Sequence, residues 1–351
     1  MNYFKYKPSK EEWENSERER VLNLFLEHEY GIRPKECDSL LTYKELDKIT
    51  YDHLIIKKIG MYYNDFEMIF YVYLPNKENK KLKTFVQVIY PYAEENIDIY
   101  NDYKSIKNYT PVDEIIKRNY ALIMLSCQTV ASDIMGGEKT GIFKAMKVNR
   151  TLTSFGVLSS WSWACSKIMD YIYLHDEFDK DNVAVIGHSR GGKTALLTGA
   201  IDKRFKLVIS NDSGNSGASL SRGSIGETIE DITNRFPYWF CENYKKYQNN
   251  ESALPFDQHM LIGLIAPRYV YIASASLDEW ADPENELRSA RLASHFYEIY
   301  NLKGLVVPNK IQNNISYNEG RIAYHSREGI HDLTPFDWKL YMDYFDKIKE
   351  V

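Results

Sequence analysis

The stretch that most constrains the fold is VAVIGHSRGGKTALLTGA, residues 183–200, in which a serine stands between glycines. The apolar run that opens it is typical of a buried strand, and residues 191–203 have the pattern of a helix. The pentapeptide GHSRG at 187–191 therefore fits G-x-S-x-G in the strand-to-helix context that a nucleophile elbow requires. We expect a sharp turn that lifts Ser189 above the sheet edge, beside a helix N-terminus that favours negative charge. The less specific alternative is a chance Gly/Ser turn.

Short apolar runs and longer helical patterns alternate through most of the chain. Nearly continuous apolar character indicates strands buried on both faces, as in a parallel sheet. The first two runs, the second of which ends at Pro75, are instead predicted to pair as an antiparallel edge. The predicted strands cover residues 51–60, 66–75, 84–91, 120–127, 183–187, 207–211, 268–274 and 321–325.

The predicted helices lie between these strands and at both ends. One covers residues 11–29, another 154–175, and a last one begins at Pro335 with Thr334 as its N-cap. The alternation predicts an α/β fold with helices on both faces of a mostly parallel sheet, a three-layer sandwich. No Pro/Gly/Ser-rich linker divides the 351 residues, so we expect a single domain, 1–351, with an N-terminal helical extension over about residues 1–40.

Composition excludes several classes of function. The net charge is −5 and no block of Lys or Arg is sustained, which disfavours nucleic acid as a partner. No segment reaches 18 consecutive apolar residues and the first 20 residues lack a signal-peptide core, so the sequence predicts no membrane span and a cytoplasmic location. The four cysteines form no CxxC pair or disulfide framework, and Cys127 and Cys165 are predicted core residues.

A serine nucleophile needs a base and an acid that orients the base. His331 lies after the last predicted strand and before the last helix, where an α/β-hydrolase fold delivers its base, and His325 is its nearest competitor. Two acids compete for the third place, Asp278 after the strand 268–274 and Asp212 after the strand 207–211. Either carboxylate can accept the imidazole N–H, so the residues alone leave the choice open.

Five motifs together resemble the glucuronoyl esterases of carbohydrate esterase family 15. They are GHSRGGKTAL, NDSGNSG, ALPFDQHMLIGLIAPR, ASASLDEWADP and GIHDLTPFDW, and the likeness covers almost the whole chain. The resemblance implies an α/β-hydrolase fold and cleavage of the ester between a glucuronic acid carboxyl on xylan and an alcohol. It implies Ser189 as nucleophile, His331 as base, and the Arg190 side chain and N–H as oxyanion donors. The alternative for Arg190 is simple pairing with a nearby carboxylate.

The resemblance also bears on the acid and on sugar binding. Family members carry the acid at the place of Asp212, usually as Glu, or at that of Asp278; the shorter Asp212 reaches less far, which favours Asp278. Lys193, Glu227 and Trp280 correspond to sugar-binding residues, and Arg235 stands where the family often has glutamine. Without a role in binding, Lys193 would be an ordinary helix-surface lysine, Glu227 a solvated carboxylate and Trp280 a core tryptophan. An ammonium and a carboxylate grip adjacent hydroxyls, and an indole offers an apolar face with an N–H.

The sequence thus predicts a serine carboxylesterase acting on (4-O-methyl-)glucuronate esters, with a glucuronate-bearing oligosaccharide as its partner. No metal or organic cofactor is required, because no His/Cys/Asp cluster has metal-ligand spacing. One rival is another carbohydrate-directed serine esterase, such as a xylan deacetylase. The other is an inactive carbohydrate-binding protein with a hydrolase fold.

Overall fold

The computed structural model describes residues 7–34, 41–77, 81–89 and 99–348. The strands within these ranges are β1 Thr42–Thr50, β2 Leu54–Tyr63, β3 Phe66–Pro75, β4 Leu82–Ile89, β5 Ala121–Ser126, β6 Phe178–His188, β7 Leu207–Asn211, β8 Tyr269–Ala275 and β9 Ile322–Arg327. They form one sheet in the order β1-β2-β3-β5-β4-β6-β7-β8-β9. The pairs β1/β2, β2/β3 and β3/β5 are antiparallel, and every pair from β5/β4 to β8/β9 is parallel. The predicted parallel sheet with an antiparallel N-terminal edge is confirmed.

Strand β1 was not predicted. Its sequence, TYKELDKIT, is polar, and most of its residues are exposed or half-buried at the edge of the sheet. An edge strand of this kind lacks the apolar run that reveals a buried strand, and its charged side chains discourage pairing with another chain. Because of β1, the strands that precede Asp212 and Asp278 are the seventh and eighth of the sheet. The predicted strand 84–91 ends at Ile89; residues 90 and 91 lie outside the described residues.

The helices lie on both faces of this sheet. They are α1 Lys10–Glu12, α2 Arg18–Phe25, α3 Val112–Lys117, α4 Gly141–Ala145, α5 Val157–Tyr173, α6 Arg190–Ile201, α7 Ile229–Arg235, α8 Gln258–Gly263, α9 Pro283–Ala293, α10 His295–Glu298 and α11 Pro335–Lys347. Two π-helical segments, Trp13–Glu17 and Leu26–Tyr30, complete the opening helical run with α1 and α2. Short 3₁₀ helices cover Tyr103–Ile106, Cys127–Thr129, Gly137–Lys139, Glu242–Tyr247 and Glu251–Ala253. As predicted, α11 begins at Pro335 with Thr334 as N-cap, in a capping box with Asp337.

The core is divided by the sheet into two clusters. Along β6, Val183 and Val185 pack into one cluster with α5, α6 and α8, whereas Ala184 and Ile186 pack into the other with α3 and α11. This alternation follows from the period of two in a strand that is buried on both faces. The three-layer arrangement predicted from the alternation of strands and helices is therefore confirmed.

The remaining expectations concern cysteines and membranes. Cys127, Cys165 and Cys241 are buried free thiols, and Cys37 lies outside the described residues. The predicted extension over residues 1–40 is likewise described only for 7–34. Among the described helices, none is both long enough and apolar enough to cross a lipid bilayer.

The strand order places the site. From β4 the chain crosses to β5 on one side and then to β6 on the other, so the order reverses between β4 and β6. Ligands bind to open α/β sheets at such a switch point, outside the carboxyl ends of the strands. Ser189 follows β6 directly, and Asp212 and Asp278 follow β7 and β8 at the same edge.

Candidate active site

Ser189 occupies the strained turn that the sequence predicts. It lies between β6 and α6 with φ 54° and ψ −124°, a conformation that residues with a side chain rarely adopt. The turn is so tight that a Cβ on Gly187 would lie 2.1 Å from the carbonyl carbon of Gly191. The Ser189 N–H donates to the carbonyl of Asn211 at 2.8 Å, which ties the elbow to β7. Ser189 is therefore held in place at the N-terminus of α6.

His331 and Asp278, the predicted base and one of the two predicted acids, are bonded to each other. His331 lies between β9 and α11, and its Nδ1 is 2.5 Å from Oδ2 of Asp278. The Asp278 side chain is 4% exposed, whereas the imidazole is 37% exposed. Ser189 and His331 line the same cavity of about 160 Å³. A buried carboxylate on Nδ1 leaves Nε2 as the atom that can take a proton.

Asp212, the rival acid, is buried and occupied elsewhere. Its Oδ1 accepts the N–H of Ala275 at 2.5 Å, and its Oδ2 lies 3.9 Å from Nη2 of Arg327. Burial raises the pKa of Asp212 well above its usual value. Atoms of Asp212, Asp278 and His331 lie within 4.8 Å of one another, a convergence that sequence spacing did not reveal. Asp278 makes the hydrogen bond to the imidazole.

Arg190 is held by a carboxylate that the sequence analysis missed. Its Nη1 contacts Oδ2 of Asp133, in the loop after β5, and its guanidinium lies 4.8 Å from the ring centroid of Trp239. Asp133 also accepts from Tyr238 Oη at 3.1 Å and from Trp239 Nε1 at 2.8 Å. Arg190 thus has a carboxylate partner, as the alternative prediction of simple pairing requires. It also lines the cavity beside Ser189, so an oxyanion role stays a prediction.

Lys193, Glu227 and Trp280 form one connected wall of the cavity. Lys193 Nζ lies 2.7 Å from Oε2 of Glu227, and it donates to the carbonyls of Ser213 at 2.7 Å and Asn215 at 2.5 Å. The Trp280 indole donates to Oε1 of Glu227 at 3.2 Å. Lys193 and Glu227 are 3% and 5% exposed and Trp280 is 39% exposed. The alternatives considered above do not apply: Lys193 is not a surface lysine, Glu227 is not a solvated carboxylate, and Trp280 is not a core tryptophan.

Arg235 covers the indole. It is the last residue of α7, and its guanidinium carbon lies 4.6 Å from the ring centroid of Trp280. The pair is a cation–π contact on the cavity wall. The apolar face expected for Trp280 is therefore shared with a guanidinium.

Two other histidines near the site, His325 and His188, are structural. His325 is buried between Oδ1 of Asp337, 2.8 Å from its Nε2, and Oη of Tyr271, 3.1 Å from its Nδ1. His188 is also buried, and its Nδ1 lies 2.7 Å from Oδ1 of Asn211. Burial lowers the pKa of His188 to about 3, and its ring packs 4.4 Å from that of His331. His188 therefore supports the base as a neutral ring.

Glu286 is a second buried carboxylate beside the site that sequence reasoning missed. On α9 it accepts the N–H groups of Ser213 at 3.0 Å and Gly214 at 2.9 Å, and the hydroxyl of Ser274 at 2.5 Å. Burial raises its pKa to about 7. It fixes the loop after β7, which lines the cavity. The available signal was its place on the buried stripe of α9 with Ala290 and Ala293, at helical spacing.

A serine on a strand-to-helix elbow, with an acid and then a histidine after later strands, defines the α/β-hydrolase class. The fold agrees with solved structures of this class. The chain superposes on a glucuronoyl esterase from Solibacter usitatus with a TM-score of 0.88 and 28% identity, over 97% of this chain and 94% of that chain.

The chain belongs to the glucuronyl esterase family. The family model described as "Glucuronyl esterase, fungi" matches residues 76–301. Carbohydrate esterase MZ0003, from an unknown prokaryotic organism, is 39% identical over 243 residues, which cover 67% of this chain and 55% of that relative. The 4-O-methyl-glucuronoyl methylesterase of Podospora anserina is 34% identical over 155 residues, which cover 41% of this chain and 32% of that relative. The chain therefore matches about half or less of the length of these relatives.

Proposed function

We propose that the chain is a serine esterase that hydrolyses esters of glucuronic acid or its 4-O-methyl derivative, as on glucuronoxylan fragments. The observation that carries the proposal is that Ser189 and His331 line one cavity together with Lys193, Glu227 and Trp280. The named activity of the Podospora anserina relative supports the choice of substrate.

The geometry gives each group a role in acyl transfer. His331 Nε2 takes the proton of the Ser189 hydroxyl as its oxygen attacks the ester carbonyl, while Asp278 stabilises the imidazolium. The oxyanion forms at the N-terminus of α6, beside Arg190. The C–O bond to the alcohol then breaks and His331 protonates the alcohol. Water, deprotonated by His331, attacks the acyl-enzyme and releases the uronic acid and Ser189.

The polar wall favours a sugar in the acyl part of the ester. Lys193, Glu227 and Trp280 all line the cavity, and both Lys193 and Trp280 bond to the Glu227 carboxylate. A sugar hydroxyl donates to the lone pairs that the Glu227 carboxylate has left, whereas an acetyl group has no proton to donate. A site built to hydrogen-bond a substrate discriminates strongly against an analogue that lacks those hydroxyls. This argues against the deacetylase alternative.

Turnover of benzyl glucuronate, compared with that of an acetylated xylo-oligosaccharide, tests the proposal. We expect alcohol release from the glucuronate ester and a loss of roughly 10⁵-fold or more in kcat for Ser189→Ala. A fluorophosphonate probe should label the wild type and not the variant. Release of acetate alone would refute the glucuronate assignment, and the absence of both turnover and labelling would refute an esterase.

A further inference from the structure

Three basic side chains of the cavity have a carboxylate partner, the pairs being Arg190 with Asp133, Lys193 with Glu227, and His331 with Asp278. Arg235 is the exception. Within residues 7–34, 41–77, 81–89 and 99–348, no carboxylate oxygen lies within 4.0 Å of its guanidinium nitrogens. The cavity therefore presents one positive charge that the protein does not balance at close range.

The surroundings of Arg235 hold it in place without neutralising it. The indole of Trp280 attracts the guanidinium through its ring face and carries no charge. Asp231, four residues earlier on α7, directs Oδ2 to the N–H and hydroxyl of Thr228 at the other end of the helix. Arg235 itself is exposed, so an incoming group can reach its N–H donors.

The reacting part of the proposed substrate carries no negative charge that could pair with the Arg235 guanidinium. An esterified uronate is neutral at its carboxyl, and its ring hydroxyls are neutral as well. A cavity of about 160 Å³ is of the size of one sugar ring, so the rest of a saccharide lies outside it. A guanidinium at the wall of such a cavity matches a carboxylate in geometry as well as in charge, through two parallel hydrogen bonds.

We propose that Arg235 is a specificity residue that recognises a second, free carboxylate on the saccharide that carries the ester. The preferred substrates are then fragments with two uronates close together, one esterified and one free. This inference rests on the proposed function, because it concerns which glucuronate esters the same site prefers.

A matched pair of disaccharides tests it. In one, an esterified glucuronate is linked to a glucuronate with a free carboxylate; in the other, that second carboxyl is a primary amide. For the wild type at about 10 mM ionic strength we expect a KM roughly two- to fivefold lower for the free acid, with kcat unchanged. The difference should vanish at about 1 M salt, where charges are screened within about 3 Å.

Two variants make the assignment specific. Arg235→Gln should hydrolyse both disaccharides with equal KM, and its fold should be unaffected because the side chain is exposed. Lys203→Gln is the control: it makes the same change in net charge at an exposed position before β7, at the opposite edge of the sheet. It should keep the wild-type preference.

The outcomes separate this inference from the proposed function. If the wild type hydrolyses benzyl glucuronate but treats the acid and the amide alike, Arg235 has no such role and the esterase assignment stands. A preference that survives in Arg235→Gln, or that is lost in Lys203→Gln, likewise overturns the assignment to Arg235. If no glucuronate ester is hydrolysed at all, the proposed function itself fails.

Discussion

The sharpest prediction contrasts the two acids that the sequence left in competition. In Asp278→Asn, the new amide donates an N–H towards Nδ1 of His331, 2.5 Å from the present carboxylate oxygen. Nδ1 then becomes an acceptor and the proton moves to Nε2, the atom that must take the proton of Ser189. Loss of the correct tautomer and of the negative charge lowers kcat by about 10⁴-fold, or about 5 kcal/mol of transition-state stabilisation.

The same substitution at Asp212 has a different outcome. Oδ1 of Asp212 accepts from the N–H of Ala275, while Nδ1 of His331 bonds to Asp278, so the amide leaves the imidazole with its carboxylate partner. The contact between Oδ1 and the N–H of Ala275 survives the change. We expect kcat of Asp212→Asn within about threefold of the wild type.

The assay is steady-state hydrolysis of benzyl glucuronate at pH 7, with thermal melts to show that each variant folds. Asp332→Asn is the control: it removes a carboxylate next to His331 that bonds only to the N–H of Leu333 among the described residues. Its kcat should equal that of the wild type. A loss in Asp212→Asn as large as that in Asp278→Asn would show that the geometric reasoning is wrong.

Two further predictions concern buried carboxylates. Asp133→Asn loosens Arg190, so kcat should fall about 10- to 100-fold with KM little changed in steady-state assays; an unchanged kcat would separate Arg190 from oxyanion binding. Burial raises the pKa of Glu29 from 4.5 to about 8, so stability present below pH 4.5 is lost as the pH rises through 8. We compare the free energy of unfolding of Glu29→Gln with that of the wild type, measured with urea at each pH. The variant's value minus the wild-type value should rise by roughly 5 kcal/mol from pH 4 to pH 9. A pH-independent difference would contradict this.

Much of the fold could be predicted because its signals are local. The buried strands are apolar runs, and α11 is announced by Thr334 and Pro335 at its start. The elbow is equally local, since five consecutive residues around Ser189 dictate it. The base could be placed because its position follows from the order of elements, so His331 and not His325 was expected at the site.

The rest depends on contacts between residues far apart in the chain. Asp133 and Arg190 are separated by 57 positions, and nothing local distinguishes Asp133 from an ordinary loop aspartate. The choice between Asp212 and Asp278 depended on burial and on the path of two loops, which spacing does not contain. The strand β1 was not predicted because an exposed edge strand requires no apolar pattern.

The contacts of Lys193 have a consequence for how a ligand is received. An ammonium has three protons, and here two go to main-chain carbonyls and one to Glu227. The polar wall is thus assembled before any ligand arrives, so binding fixes few additional side-chain torsions and loses little affinity to that ordering. Such a binding site is pre-organised, and it selects ligands by its fixed shape rather than by closing around them.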